Sequence, residues 1–149
     1  MNVVLLEPEI HFNTGNIGRT CVGTGTVLHL VGKLGFSLDS TQIRRSGLDY
    51  WARLDLRMHK DLDAFLGSVP ARSPLLFFSA EAGKEHWDAP YAADCYMVFG
   101  KESVGLPPEL RERYRDDLYR VRHSPDIRSL NLSACVAVVL YEAVRQTSR

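Results

Sequence analysis

The strongest constraint on this chain is the recurrence of short apolar runs. They fall at Asn2 to Leu6, Val27 to Val31, Leu75 to Phe78, Tyr96 to Phe99 and Leu118 to Val121. A weaker run, Leu54 to Met58, alternates with Arg and Asp and predicts a partly exposed strand. Each run is short enough for a buried strand, and the intervening segments carry helical signals. These are Ile17 to about Gly23 with Asn16 as N-cap, a short basic helix from Asp39 or Ser40 through Arg45, and Asp61 to Leu66 with Leu62, Phe65 and Leu66 on one face. Pro107-Pro108 opens a charged helix over Glu109 to Tyr114, and Asn131 to Gln146 is the longest helical segment. Strands alternating with helices predict an α/β fold with a mostly parallel sheet flanked by helices. In 149 residues this is one domain, spanning 1–149.

The last helix is unusual, because Leu132 to Leu140 is apolar almost all round, interrupted by Ser133. A surface helix shows a polar face. This one is expected to be buried on two sides, by its own sheet and by a second copy of the chain. A strand over Val136 to Leu140 is the alternative.

Composition narrows the function classes. Lys plus Arg is 18 and Asp plus Glu is 18, for a net charge of zero, and 45% of residues are hydrophobic. That disfavours disorder and a globally basic nucleic-acid glove. Local excesses remain: Thr41 to Lys60 holds five basic and two acidic residues, and Arg111 to Arg128 holds six arginines and four acids. Arginine outnumbers lysine fourteen to four, and its planar fork suits phosphate, although a solvated face reads the same way. Cys21, Cys95 and Cys135 are odd in number and lack CxxC pairing, which argues against a disulfide framework or a zinc site. No histidine has ligand spacing, and no metal is expected. No signal-like start or membrane-length apolar run is present, so a cytoplasmic location and no membrane partner are expected.

Three polar, Gly- or Ser-containing segments sit where elements begin or end: Asn13 to Arg19, Phe99 to Leu106, and Pro125 to Ser133. In open α/β sheets ligands bind beyond the carboxyl ends of the strands, so the three can converge on one pocket. Known phosphate loops do not fit. Gly23-Thr24-Gly25 lacks a third glycine, and Gly100-Lys101 is followed by Glu102, with Cys95 where a P-loop has its first glycine.

Asn13-Thr14-Gly15-Asn16-Ile17-Gly18-Arg19, Phe99-Gly100-Lys101-Glu102-Ser103-Val104-Gly105-Leu106 and Arg128-Ser129-Leu130-Asn131-Leu132-Ser133 resemble, in order and spacing, the three motifs of the SpoU/TrmH-like 2′-O-methyltransferases of the SPOUT superfamily. Arg44-Arg45-Ser46-Gly47-Leu48-Asp49-Tyr50-Trp51 and Tyr141-Glu142-Ala143 resemble the minimal TrmL (YibK) branch, which has no added RNA-binding domain. The resemblance implies a C-terminal trefoil knot, S-adenosylmethionine as methyl donor, a homodimer, and methyl transfer to the ribose of wobble nucleotide 34 (cytidine or modified uridine) in the anticodon loop of leucine tRNAs. By motif position, Ser79, Gly100, Val121, Ser129 and Leu130 are expected at the donor. Asn13, Arg19, Glu102, Ser129 and Asn131 are expected around the reacting hydroxyl. Arg44, Arg45, Tyr50 and Trp51 are expected to meet RNA, and Tyr141 the dimer partner. Arg19 is read as a phosphate and alkoxide anchor and Glu102 as an alternative proton acceptor.

The chain departs from the resembled pattern where Val121-Arg122-His123 replaces Ile-Pro-Met, which removes the proline that stiffens the donor loop. Cys135 takes a place commonly held by Asn or Val. Three other readings stay open at this point: the same chemistry on ribosomal RNA, a non-catalytic RNA-binding module, and a nucleotide-binding regulator. Taken alone, Asn13 to Gly18 reads equally as a capping turn, and Ser129 and Asn131 as plain helix caps.

Overall fold

The computed structural model describes residues 1–38 and 50–148. The helix expected from Asp39 or Ser40 to Arg45, with Arg44 and Arg45 themselves, lies outside the described residues. Along the chain run β1 (Asn2–Leu6), α1 (His11–Thr24), β2 (Val27–Val31), β3 (Leu56–His59), α2 (Leu62–Ser68), β4 (Leu75–Phe78), β5 (Lys84–Glu85), β6 (Tyr96–Phe99), α3 (Pro108–Arg113), β7 (Leu118–Arg120) and α4 (Leu132–Thr147). The strands form one sheet in the order β3-β2-β1-β6-β4-β7-β5, and each pairing is parallel. This is the expected α/β architecture.

The sheet is covered on both faces, as the largely apolar central strands β1, β4 and β6 require. Val3, Leu5, Leu28, Leu30, Met97 and Phe99 pack with Ile17 and Cys21 of α1 and with Val136, Val139, Leu140 and Ala143 of α4. The alternate residues Val4, Leu6, Val31, Phe77 and Val98 pack with Phe65 of α2 and Leu110 of α3. The period of two in each strand thus assigns one helix pair to each face.

Two sequence expectations are corrected here. The segment Asn13-Thr14-Gly15-Asn16 is helical rather than a loop, and α1 begins at His11 after Ile10, not after an Asn16 cap. Ile10 offers no capping side chain. The exposed N–H groups at this helix start are met from far along the chain instead: Glu102 Oε2 accepts from Glu9 N at 2.8 Å, and Glu102 Oε1 from Ile10 N at 3.1 Å. A carboxylate at a helix amino end also faces the positive end of the helix dipole. The second correction is β5, two residues at the sheet edge without the apolar run that would announce it.

The final helix resolves the strand alternative. Asn131 caps α4 by accepting from Ser133 N at 2.9 Å and Ala134 N at 3.4 Å. Val136, Val139, Leu140 and Ala143 form the i, i+3, i+4, i+7 stripe of a buried helix face. The outward side keeps Val138 and Tyr141 exposed, Tyr141 at 58%.

Candidate active site

Three neighbouring strands, β6, β4 and β7, end side by side, and the residues at or just beyond their carboxyl ends are Gly100, Ser79 and Val121. With segment 128–132 they enclose a cavity of about 550 Å³, in the range of small-ligand sites. Phe78, Phe99, Val121, Leu130, Leu132 and Cys135 give apolar walls, and Asn13, Glu102, Ser129 and Asn131 give polar groups. Every expected donor-side residue lines this cavity.

Gly100 is required by close packing. The loop after β6 folds back through a Lys101–Gly105 bridge, with Gly105 N donating to Lys101 O at 2.8 Å. A Cβ at Gly100 would collide with the Gly105 carbonyl and the Leu106 nitrogen. Gly105 itself has φ of 71°, a conformation that side chains resist.

The polar groups form a chain of fixed polarity. Asn131 Oδ1 accepts from the start of α4, so its Nδ2 donates, to Asn13 Oδ1 at 3.0 Å. Asn13 Nδ2 must then donate, and does so to Glu102 Oε1 at 3.2 Å. Glu102 thus accepts from three N–H donors. Glu102 thereby ties the loop after β6 to the start of α1, Asn13 passes the link on to Asn131 at the start of α4, and little free lone-pair capacity is left for the proton-acceptor role raised from sequence. A second carboxylate runs the opposite way: Glu9 accepts from Ser103 N and Ser103 Oγ, both at 2.9 Å, which holds its pKa below the usual carboxylate value. Lys101 pairs with Glu7 at 2.7 Å. Arg128 Nη2 donates to Ser103 O at 2.7 Å and joins the third segment to the second. Cys135 stands in the wall as a thiol, since burial pushes its pKa up to about 11.

Other expected residues sit apart from this cavity. Arg19 lies on the outer side of α1, in a stripe with Phe12, Asn16 and Gly23, and its guanidinium stands 5.5 Å from the Tyr50 ring centre. Tyr50 donates its hydroxyl to Gly15 O at 2.7 Å, and burial raises its pKa. Trp51 covers Gly18, where an added Cβ would meet the indole at 2.9 Å. Both aromatics therefore hold segment 50–54 on α1, an attachment that explains why a glycine at 18 sits inside a helix. Tyr141 is exposed on α4. Sequence reasoning missed Glu9, Ser103 and Lys101 as structural partners of the site. Their proximity depends on β1 and β6 being neighbours, which no local pattern records.

Among known proteins, the SpoU rRNA Methylase family matches residues 1–141. A tRNA (cytidine(34)-2'-O)-methyltransferase of Burkholderia cenocepacia is 45% identical over 147 residues, covering 97% of this chain and 94% of that protein. The protein of the same name from Burkholderia pseudomallei is 44% identical with the same coverage. A solved structure described as giving structural insights into the 2-OH methylation of C/U34 on tRNA superposes with a TM-score of 0.93 at 41% identity, covering 97% of this chain and 94% of that one. AviRb of Streptomyces viridochromogenes, solved in complex with AdoMet, shares the fold at TM-score 0.83 and 22% identity, over 98% of this chain and 57% of that one.

Proposed function

The chain belongs to the SpoU rRNA methylase family, and on that premise we propose that it is an S-adenosylmethionine-dependent tRNA 2′-O-methyltransferase acting on the ribose of wobble nucleotide 34 in the anticodon loop. The observation that carries this reading is convergence: the three motif segments, distant in sequence, share one cavity. The resemblance extends the reading to leucine tRNAs and to a C-terminal trefoil knot.

The residues present suit a nucleoside-bearing donor. The Gly100 backbone has no room beside it for a side chain, so peptide groups come close to the cavity, and the apolar walls suit a purine face. When bound, S-adenosylmethionine supplies an electrophilic methyl group. The chain's own residues supply position. The Asn131–Asn13–Glu102 chain holds both helix starts at the cavity mouth, with Ser129 beside them, and orientation of reacting atoms can contribute roughly 7–11 kcal/mol to a barrier.

Arg19 fits a different task. Guanidinium stays protonated, so it stabilises phosphate and developing alkoxide rather than taking a proton. In a single chain it lies off the cavity. α4 carries an exposed stripe of its own, Ala134, Val138, Tyr141 and Arg145, and the two helices pack together. We assign this mixed surface to a homodimer contact, from which Arg19 of one copy serves RNA bound at the other. Arg44 and Arg45 are proposed as further RNA contacts.

Mass spectrometry of nucleosides and oligonucleotides from tRNA and rRNA, each incubated with the chain and S-adenosylmethionine, tests the reading. A ribose methyl at nucleotide 34 of tRNA is the expected product. Methylation confined to rRNA, or none in either RNA, overturns it.

A further inference from the structure

The segment between β7 and α4 supplies Val121, His123, Arg128, Ser129, Leu130 and Asn131 to the cavity wall. It is long and irregular, and the stiffening proline of the resembled pattern is replaced by Arg122. Such a segment loses conformational freedom whenever a ligand orders it, unless contacts order it beforehand.

The two replacing residues are anchored on opposite sides of the segment. Arg122 points away from the cavity. Its Nε and Nη2 donate to Glu85 Oε1 at 3.2 and 3.0 Å, and its guanidinium stands 5.2 Å from the Trp87 ring centre. Arg120 donates to the same oxygen at 3.2 and 2.9 Å. Glu85 is well buried on the edge strand β5, so the ion pair ties the segment to the sheet. His123 points inward. Its Nδ1 lies 3.0 Å from Val121 O and its Nε2 3.3 Å from Arg128 O; a neutral ring carries one N–H, so it donates to one of these two carbonyls according to its tautomer. Within the turn, Ser124 and Asp126 bond to each other, and Arg128 is fastened to Ser103 O.

We propose that Arg122 and His123, with Glu85 as anchor, are positioning residues that preorganise segment 121–131 for the methyl donor, replacing a rigid backbone residue by an outer ion pair and an inner imidazole hydrogen bond to the segment's own backbone. The proposal rests on the donor-binding reading above. Glu85 and Arg122 do not line the cavity, so their substitution acts on donor binding through the segment. His123 does line it, and its hydrogen bond to a carbonyl of the segment is the part of its role that Arg122 cannot supply.

Two measurements on the full chain test this. Amide hydrogen exchange of residues 122–128 is read without any ligand, and the donor KM and kcat are read separately by methyl transfer to tRNA. Arg122→Ala and Glu85→Gln are each expected to speed exchange in this segment about tenfold and to raise the donor KM about tenfold, with kcat within about twofold. His123→Ala adds to Arg122→Ala in both readouts. The double variant Arg122→Pro, His123→Met, which restores the resembled pattern, reverses most of the KM increase seen in the double variant Arg122→Ala, His123→Ala. Unchanged exchange in both Arg122→Ala and Glu85→Gln overturns the proposal, as does a fall in kcat at constant KM. A wild-type chain that binds no donor would instead overturn the donor reading, and the exchange measurement would still decide the clamp.

Discussion

Two of the polar networks among the described residues are built to different ends. One is Asn131–Asn13–Glu102 at the carboxyl edge of the sheet. The other joins Asn2, His29 and His59 across β1, β2 and β3. In the second, Asn2 Nδ2 donates to the carbonyls of Asp94 and Cys95, so its Oδ1 accepts from His29 Nε2 at 3.1 Å. His29 Nδ1 then accepts from His59 Nε2 at 2.9 Å. Both networks have one internally consistent polarity, set at one end by a backbone group. They differ in where they finish. The first ends on a carboxylate that collects backbone N–H groups and opens on a cavity. The second packs through His29 against the rings of Phe65 and Tyr96, and none of its residues lines that cavity. A polar network at the ligand edge positions groups for chemistry, whereas one under aromatic rings specifies how strands pair.

The comparison can be broken most sharply at Gly100. Gly100→Ala places a methyl against the Gly105 backbone, which cannot move as a flexible side chain would. Donor binding by calorimetry should weaken by more than about a hundredfold, a loss of about 3 kcal/mol. The His29 network, on other strands, should keep its integrity, read as an unchanged acid dependence of unfolding.

Glu102→Gln is next. The new amide group faces N–H donors where the carboxylate faced acceptor-hungry groups, so at least one donor of Glu9, Ile10 or Asn13 loses its partner. Turnover should fall about 10²–10³-fold, comparable with removal of one preorganised hydrogen-bonding group. Stability in denaturant should fall by about 1–3 kcal/mol for the unmet donor. A variant with full turnover would remove the positioning role.

The smallest effect belongs to the His29 network and appears as pH dependence. Burial first, then the charge of His59 and Arg57, lowers the His29 pKa from its ordinary 6.5 to about 4, and burial lowers that of His59 as well. Between those values the unfolded chain binds more protons than the folded one, so stability rises with pH there. It is complete above about pH 6.5 and is lost as pH falls toward about 4. Denaturant titrations at pH 7 and pH 5 should show this loss, and His29→Gln should flatten it. An unchanged slope in that variant would place the acid sensitivity elsewhere.

Much of this was legible in advance. Strands β1, β2, β4 and β6 coincide with the apolar runs, because a strand buried on both faces is apolar at nearly every position, and the exceptions Asn2 and His29 hydrogen-bond each other. The site segments were legible because glycines and polar residues interrupt those runs at their carboxyl ends. What was misread was local: Asn13 to Asn16 looks like a loop by propensity, with a good N-cap at its end. It is helical because Glu102 caps the chain earlier, because Asn13 is held by Asn131, and because Tyr50 bonds to the Gly15 carbonyl and Trp51 covers Gly18. Each of those partners lies at least about thirty residues away.

The amino-acid sequence by itself determined the architecture and the family, since hydrophobic period and motif order are properties of the chain read in one dimension. It also determined that Gly100 and Asn131 matter, because a missing side chain and a capping side chain act within a few residues of themselves. The tertiary structure decided which groups meet. It made Glu102 the cap that ties the loop after β6 to the start of α1, put Arg19 on the outer stripe of α1 away from the cavity of its own chain, and turned the Arg122–His123 replacement into anchors on opposite sides of one segment. Those outcomes depend on strand order, which brings β1 beside β6 and β5 beside β7. Contacts between residues tens of positions apart leave no periodic trace for a linear reading to find.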